Sequence, residues 1–455
     1  MSRTGAVFKA YDIRGTVPDQ LDADLCRAIG AAVARFTGAP RVLLVRDMRE
    51  SGLELSRAFA DGVRAEGAAV VDLGMASTDF MYFASGRLNA PGAMFTASHN
   101  PAEYNGIKLC FAGARPIGRD TGLIEIEALT NKYLADPPTA PISAPLEHRE
   151  LLSEYATHVR SFVDQTALRP LKVVADTANG MGGLIVPLIM DGLPFDVDLL
   201  YPELDGSFPN HPADPIQPDN LVDLQGAVLD ARADVGLAFD GDADRVFLVD
   251  EQARPVSGSL TTALVAASML DKHPGSTVLY NLICSHVVPE VIAEHGGVAV
   301  RTRVGHSYIK QVMADTDAIF GGEHSGHYYY RDNYRADSGV ITALVVLEMM
   351  SRSEAPLSEL LSPYRRYTDS GEINTEVRNP QAVLDGVARR EQARGAVVDR
   401  LDGVTVDHAD WWYNLRSSNT EPLLRLNVEA ADADACAQHV DEVLDLVSSL
   451  STEVE

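Results

Sequence analysis

Short apolar runs alternating with longer amphipathic stretches recur along most of this chain, and that alternation restricts the fold more than any other feature. RVLLVRD (41–47), AAVVDLG (68–74) and GAMFTAS (92–98) read as buried strands, with a helical stretch over 51–66 between the first two. Buried strands alternating with helices define an α/β domain. DPPTAPISAP (136–145) breaks both periods and reads as a linker, so the first domain is expected over 1–148. The pattern restarts with a helix over 151–162, the strand LKVVADT, the turn NGMGG and the strand DVGLAFD, a second α/β domain over 149–251. A third, over 252–363, sets the strands TVLYNLI, VAVRTRV and DAIFGGE around helices at 285–295 and 307–315. The remainder, 364–455, differs: EINTEV, a helix from Pro380, β-rich text through Trp411 and Trp412, LLRLNVEA and a terminal helix predict an α+β domain. With 455 residues, 46% of them hydrophobic, the chain has apolar material for several cores.

Charge and cysteine usage narrow the function classes. A formal net charge of −27 disfavours nucleic acid, whose binding rests on clustered Lys and Arg. The same balance makes any basic side chain near a motif informative, because an anionic small substrate must be held against the general field. No run approaches the roughly 18 apolar residues of a membrane span, and Met1 to Lys9 has no apolar signal core, so a cytoplasmic protein without membrane contact is expected. Cys26, Cys110, Cys284 and Cys436 form no CxxC pair and are read as reduced thiols, with neither a disulfide framework nor a zinc site.

Five segments carry chemistry-bearing side chains. TASHNP (96–101) follows an apolar strand, which puts Ser98 and His99 at a strand's C-terminal end, where α/β folds form their crevices. Ser98 is an exposed hydroxyl candidate or part of a plain turn; the GxSxG frame of a serine hydrolase is missing. DGDADR (240–245) sets Asp240, Asp242 and Asp244 at alternate positions around Gly241, an oxygen-only set suited to a hard cation such as Mg²⁺ or Ca²⁺. A calcium loop with Glu251 at its twelfth position is the rival, opposed by Arg245 where that loop needs Gly and by strand-like flanks. GGEHSGH (321–327) presents Glu323, His324, Ser325 and His327, a set that suits sugar hydroxyls; zinc ligation lacks the helical HExxH frame. RSSNTEP (416–422) gathers a guanidinium, hydroxyls and an amide in the composition of a phosphate cradle. KAYDIRG (9–15), with Tyr11 and Arg14, reads by itself as a surface loop.

One chemistry uses all five segments: phosphoryl transfer between a serine and a sugar phosphate beside a hard cation. In the same order and over essentially the whole chain, the set resembles the α-D-phosphohexomutase superfamily, especially bacterial phosphomannomutase/phosphoglucomutase. The resemblance implies three α/β domains with mixed sheets and a fourth like the TATA-binding protein, each giving one loop to a central cleft. It implies phosphoserine at Ser98, with Asp240, Asp242, Asp244 and the phosphoserine oxygen as Mg²⁺ ligands, and His99, Lys108, Arg245 and His327 about the transfer site. Glu323, Ser325 and His327 match the sugar-reading loop; Arg416, Ser418, Asn419 and Thr420 match the clamp on the non-reacting phosphate; Tyr11, Arg14 and His306 match further substrate positions. A hexose 1,6-bisphosphate serves as intermediate and activator in this reading. Hexose phosphates as partners and a monomer or weak homo-oligomer are expected on the same resemblance. Relatives often carry Lys where NLICS here has Ile283 and Cys284, and His324 favours the mannomutase branch over phosphoglucosamine mutase. A sugar phosphatase and a calcium-binding module are the rival classes.

Overall fold

A computed structural model of the protein describes residues 3–137, 142–417 and 423–454. Four sheets organise these residues. The first has six strands in the order Ile13–Thr16, Tyr104–Cys110, Gly92–Phe95, Arg41–Arg46, Ala69–Met75, Leu146–His148. Its centre is parallel, while Tyr104–Cys110 runs antiparallel to both its neighbours. The central strands are apolar because helices cover them on both faces. Local chemistry sets the helix ends: the Asp22 carboxylate accepts the Leu25 N–H at 2.9 Å to open Ala23–Thr37, and Gly38 closes it at φ 58°.

The second sheet orders Pro255–Val256, Val246–Asp250, Val235–Phe239, Leu171–Asp176 and Phe195–Leu200. The third orders Val298–Thr302, Thr277–Asn281, Phe320–Gly322, Tyr328–Tyr330 and Ala336–Asp337. Both mix parallel and antiparallel pairs. The fourth is antiparallel, built on Trp411–Ser417 paired with Leu423–Ala430, and carries the helices Pro380–Ala393 and Ala433–Val454. Three mixed α/β units and a terminal α+β unit are thus the architecture anticipated above.

Two features of packing bear on the site. A single apolar cluster runs from Leu43 and Phe80 in the first unit through Val173 and Leu237 in the second to Leu344 in the third. At their junction Asp79 accepts hydrogen bonds from Ser77, from Tyr155 at 2.7 Å and from Ser338 at 2.5 Å, one hydroxyl from each unit. The fourth unit has its own core around Val387, Tyr413, Leu426 and Val447. Polar contacts meet it: Arg301 pairs with Asp399, and the Glu429 carboxylate accepts both the His286 backbone N–H at 2.9 Å and the Trp412 indole N–H at 2.8 Å.

Two local expectations need correction. KAYDIRG is not simply a surface loop, since Ile13–Thr16 is an edge strand and Ile13, fully buried, pairs with Ile107. A four-residue strand with one face polar offers too few apolar positions to declare its period. GAMFTAS leaves the sheet at Phe95, because Ser98 adopts φ +50° in a turn.

Candidate active site

The strand Gly92–Phe95 delivers the turn that carries Ser98, and the hairpin between Val235–Phe239 and Val246–Asp250 delivers Asp240, Asp242 and Asp244. The two turns meet face to face. Ser98 Oγ donates to Asp240 Oδ2 at 2.8 Å and lies 3.2 Å from His99 Nδ1. Contact is close enough that a β-carbon at Gly241 would stand 2.5 Å from the Ser98 carbonyl oxygen, which is why the aspartates are punctuated by glycine there. Ser98 itself is only 2% exposed, and its left-handed backbone costs on the order of 1 kcal/mol for a residue with a β-carbon.

Lys108 comes from the middle of Tyr104–Cys110, opposite Met94 in the neighbouring strand. Its Nζ donates to Asp242 at 2.8 Å and to Asp244 at 2.6 Å. Burial works against the ammonium, but the two carboxylates outweigh it and keep Lys108 protonated. Arg245 places Nη2 2.8 Å from His99 Nδ1 and Nε 3.4 Å from Asp240. The Arg245 charge and then burial hold His99 well below its ordinary range, so the ring is a neutral acceptor of the guanidinium N–H.

The three aspartates are buried and crowded, with one ligand atom from each within 4.8 Å of the others. Burial and the neighbouring carboxylates push Asp240 well up, and burial with Asp242 pushes Asp244 up to about 6. For Asp242 burial also works upward, but Lys108 and the Thr78 hydroxyl outweigh it and hold this carboxyl below the usual range. Two basic side chains therefore leave the trio short of positive charge. Among the described residues, Asp242 Oδ1 and Asp244 Oδ1 are buried without a hydrogen-bond partner. Orphaned carboxylate oxygens in an oxygen-only set fit a hard divalent cation.

GGEHSGH connects directly to this centre: Arg245 pairs with His327 in a single antiparallel bridge, and the Val246 N–H reaches the Gly326 carbonyl at 3.3 Å. His327 Nε2 lies 3.7 Å from Asp244 and 4.0 Å from Asp337, while its Nδ1 is 3.0 Å from Ser325 Oγ. Glu323 accepts from Ser325 and from Tyr329, each at 3.2 Å. His324 turns away to Ser259 at 2.9 Å, so the two histidines of the motif do not converge on one ion. Cys284 is buried with its thiol on Asn281 at 3.1 Å. Glu251, the twelfth-position ligand of the calcium-loop alternative, instead accepts the Ser358 hydroxyl and its N–H, and both flanks of DGDADR are strands.

Arg14 ties the first segment to the serine turn, donating to Asn100 at 2.5 Å and to the Ala97 carbonyl at 3.4 Å. Tyr11 donates to the Val304 carbonyl at 3.3 Å, beside Gly305 and the helix His306–Thr316 that His306 opens. Arg416, at the end of Trp411–Ser417, pairs with Glu372 at 2.6 Å. Ser418, Asn419 and Thr420 lie outside the described residues. Sequence reasoning missed Thr78, whose hydroxyl donates to Asp242 at 2.5 Å and whose N–H meets the Asp242 carbonyl at 3.0 Å. It also missed Asp337, bound by Lys310 at 2.8 Å, and Asp47 and Arg49 beneath the serine turn. Only the last pair left a signal, as charges at the end of an apolar strand.

Known families match this chain over most of its length. The phosphoglucomutase/phosphomannomutase models fit as alpha/beta/alpha domain I over 5–136, domain II over 153–254, domain III over 257–367 and the C-terminal domain over 372–446. The chain belongs to the phosphoglucomutase/phosphomannomutase family. This mutase is 40% identical over 444 residues to a phosphohexose mutase of Xanthomonas campestris pv. campestris, covering 97% of this chain and 98% of the relative. To a phosphomannomutase of Escherichia coli K12 it is 37% identical, covering 93% and 94%. Its backbone matches the crystal structure of a phosphoglucomutase/phosphomannomutase family protein from Burkholderia thailandensis with a TM-score of 0.89 at 32% identity, covering 99% and 98%. Among the described residues of this family member, no helix is long and apolar enough to cross a membrane.

Glu323 gives the mutase a testable pH dependence. Burial pushes its carboxyl up to about 7 against the two hydroxyls it accepts from. Stability contributed by the protonated form is complete below the ordinary carboxylate range and is lost as pH rises through about 7. A carboxylate accepts hydroxyl hydrogen bonds that the acid does not, so if substrate is held here kcat/KM is expected to rise through that pH. In a pH profile Glu323→Gln should flatten this rise; an unchanged inflection in the variant would assign it elsewhere.

Proposed function

We propose that this mutase interconverts hexose 1-phosphates and hexose 6-phosphates through phosphorylated Ser98 and a hexose 1,6-bisphosphate intermediate, with mannose the preferred sugar and glucose a second substrate. The observation that carries the reading is Ser98 Oγ set 2.8 Å from a buried aspartate cluster that has orphaned oxygens and is flanked by Lys108 and Arg245. The mannose preference rests on His324 and on relatives such as the phosphomannomutase of Escherichia coli.

In the first half-reaction the bond from phosphorus to Ser98 Oγ breaks and one to O6 of the hexose 1-phosphate forms. The O6 proton passes to a base, for which His327 is the candidate because a neutral imidazole accepts and returns a proton near pH 7. His327 returns that proton to Ser98 Oγ, which is left as a hydroxyl. The bisphosphate then turns so that its 1-phosphate faces Ser98; the bond from phosphorus to O1 breaks, the Ser98 hydroxyl passes its proton to the same base as the phosphoserine re-forms, and hexose 6-phosphate leaves with that proton on O1. Lys108 and Arg245 offset charge on the transferring oxygens throughout. Mg²⁺ held by Asp240, Asp242, Asp244 and the phosphoserine oxygen would supply further charge neutralisation. Glu323 and Ser325 hold sugar hydroxyls in either orientation, and Arg416, Ser418, Asn419 and Thr420 form the clamp for the phosphate that stays. Tyr11, Arg14 and His306 complete the substrate contacts.

The test offers mannose, glucose and glucosamine 1-phosphates in parallel, with Mg²⁺ and a trace of hexose 1,6-bisphosphate. Mannose 6-phosphate should form fastest and glucosamine 6-phosphate slowest. No 6-phosphate product from any of the three would overturn the reading.

A further inference from the structure

Beneath the serine turn lies an arginine that no substrate contact explains. Arg49 follows the strand Arg41–Arg46 and is 2% exposed, among the largest fully buried side chains of the molecule. Its guanidinium is spent on backbone carbonyls of one short segment: Nη1 donates to Pro101 and Tyr104, each at 2.8 Å, and Nη2 donates to Ser98 at 2.9 Å and Asn100 at 2.6 Å. Nε faces Asp47 Oδ2 at 3.3 Å, and the other Asp47 oxygen accepts the Arg49 backbone N–H at 2.9 Å. Phe208, from the second unit, covers the guanidinium with its ring centre 5.1 Å away.

The Ser98 carbonyl is therefore gripped from one side by Arg49 and closed on the other by Gly241. Its N–H is held by Thr96 Oγ1 at 2.9 Å. A residue at φ +50° keeps that conformation only when its surroundings over-determine it. Here the direction of Oγ toward Asp240 depends on that conformation. Four carbonyls met by the two terminal nitrogens of one planar group is a task for the guanidinium fork; an ammonium has one nitrogen and three donors.

We propose that Arg49, with Asp47 behind it, is a positioning residue for phosphoryl transfer, holding the serine turn so that Oγ keeps its aim through both half-reactions. This rests on the reading of Ser98 as the phosphoryl carrier. Because Arg49 is buried under the turn, its loss acts on transfer and leaves substrate affinity alone.

Arg49→Lys and Arg49→Met, purified beside the wild type and Ser98→Ala, are assayed over a range of hexose 1-phosphate concentrations, with melting curves as the folding check. Misplacement of a reacting group by about 1 Å costs about 100-fold in rate, so kcat should fall by about that factor in both variants with KM changed less than about twofold. The rate at which labelled hexose 1,6-bisphosphate loads Ser98 should fall in parallel. Wild-type kcat in Arg49→Lys, or a loss confined to KM, would overturn the assignment. Should neither variant fold, Asp47→Asn must show the same kcat-only loss in milder form, and unchanged kcat there overturns it equally. Ser98→Ala keeps the two levels apart: turnover surviving there removes the phosphoserine reading and this role with it, whereas a dead Ser98→Ala beside a fully active Arg49→Lys removes only the role of Arg49.

Discussion

Ser98→Ala is expected to lower mutase turnover by about four orders of magnitude or more, the scale seen when a covalent nucleophile is removed. Among the described residues the neighbouring hydroxyls are already engaged: Thr78 is committed to Asp242, and Ser325 lies between Glu323 and His327. The fold should survive. The substitution removes one buried hydrogen bond to Asp240, about 1 kcal/mol, and alanine fits the same left-handed backbone no worse than serine does. Steady-state rates and a melting curve check both halves, and turnover within tenfold of the wild type would contradict the serine's role.

Removal of divalent metal carries the second large effect. Lys108 and Arg245 cannot balance all three of Asp240, Asp242 and Asp244 once these are ionised, and crowding already pushes Asp240 and Asp244 up before phosphate arrives. A phosphoserine adds about −1.5 to −2 at neutral pH. That charge, placed on buried carboxylates at close range, is strongly unfavourable without a cation. Excess chelator is therefore expected to cut turnover by at least about 1,000-fold, and added Mg²⁺ to restore it. Asp242→Asn should behave like the chelated enzyme without being rescued by Mg²⁺, because it removes one carboxylate oxygen and the negative charge that faces Lys108 and Thr78. Full turnover in excess chelator would contradict the metal assignment.

The legible parts of the molecule were those whose signal lies within a few residues. Apolar runs such as LLRLNVEA announce a strand at Leu423–Ala430 because every second residue packs on the core of the fourth unit. Three aspartates at alternate positions announce an acidic turn whose side chains gather closely enough to hold a cation. That Ser98 and Asp240 meet was readable only through the resemblance, since 142 residues separate them. What stayed hidden depends on tertiary approach. Thr78 is an ordinary helix-start residue until the second unit brings Asp242 to its N–H and hydroxyl. The ring of His327 lies near Asp244 and Asp337 because a single bridge joins the third unit to the aspartate turn. Arg49 looks like a solvated charge at a strand end, and its burial follows from carbonyls that become available once the serine turn folds over it. Lys108 sits in a strand whose text, YNGIKLC, mixes polar and apolar residues too irregularly to show a period of two.

Phosphorylation of Ser98 is what the proposed mechanism turns on. It is tested most directly by incubating the enzyme and Mg²⁺ with hexose 1,6-bisphosphate, digesting it, and mapping phosphate by mass spectrometry before and after a chase with hexose 1-phosphate and chromatographic removal of the sugar phosphates. Phosphate is expected on Ser98 alone after loading, passing to bisphosphate and back during the chase, so that label first placed on the protein appears in hexose phosphate. Phosphate on a different residue, or label that leaves Ser98 only as inorganic phosphate, would contradict it.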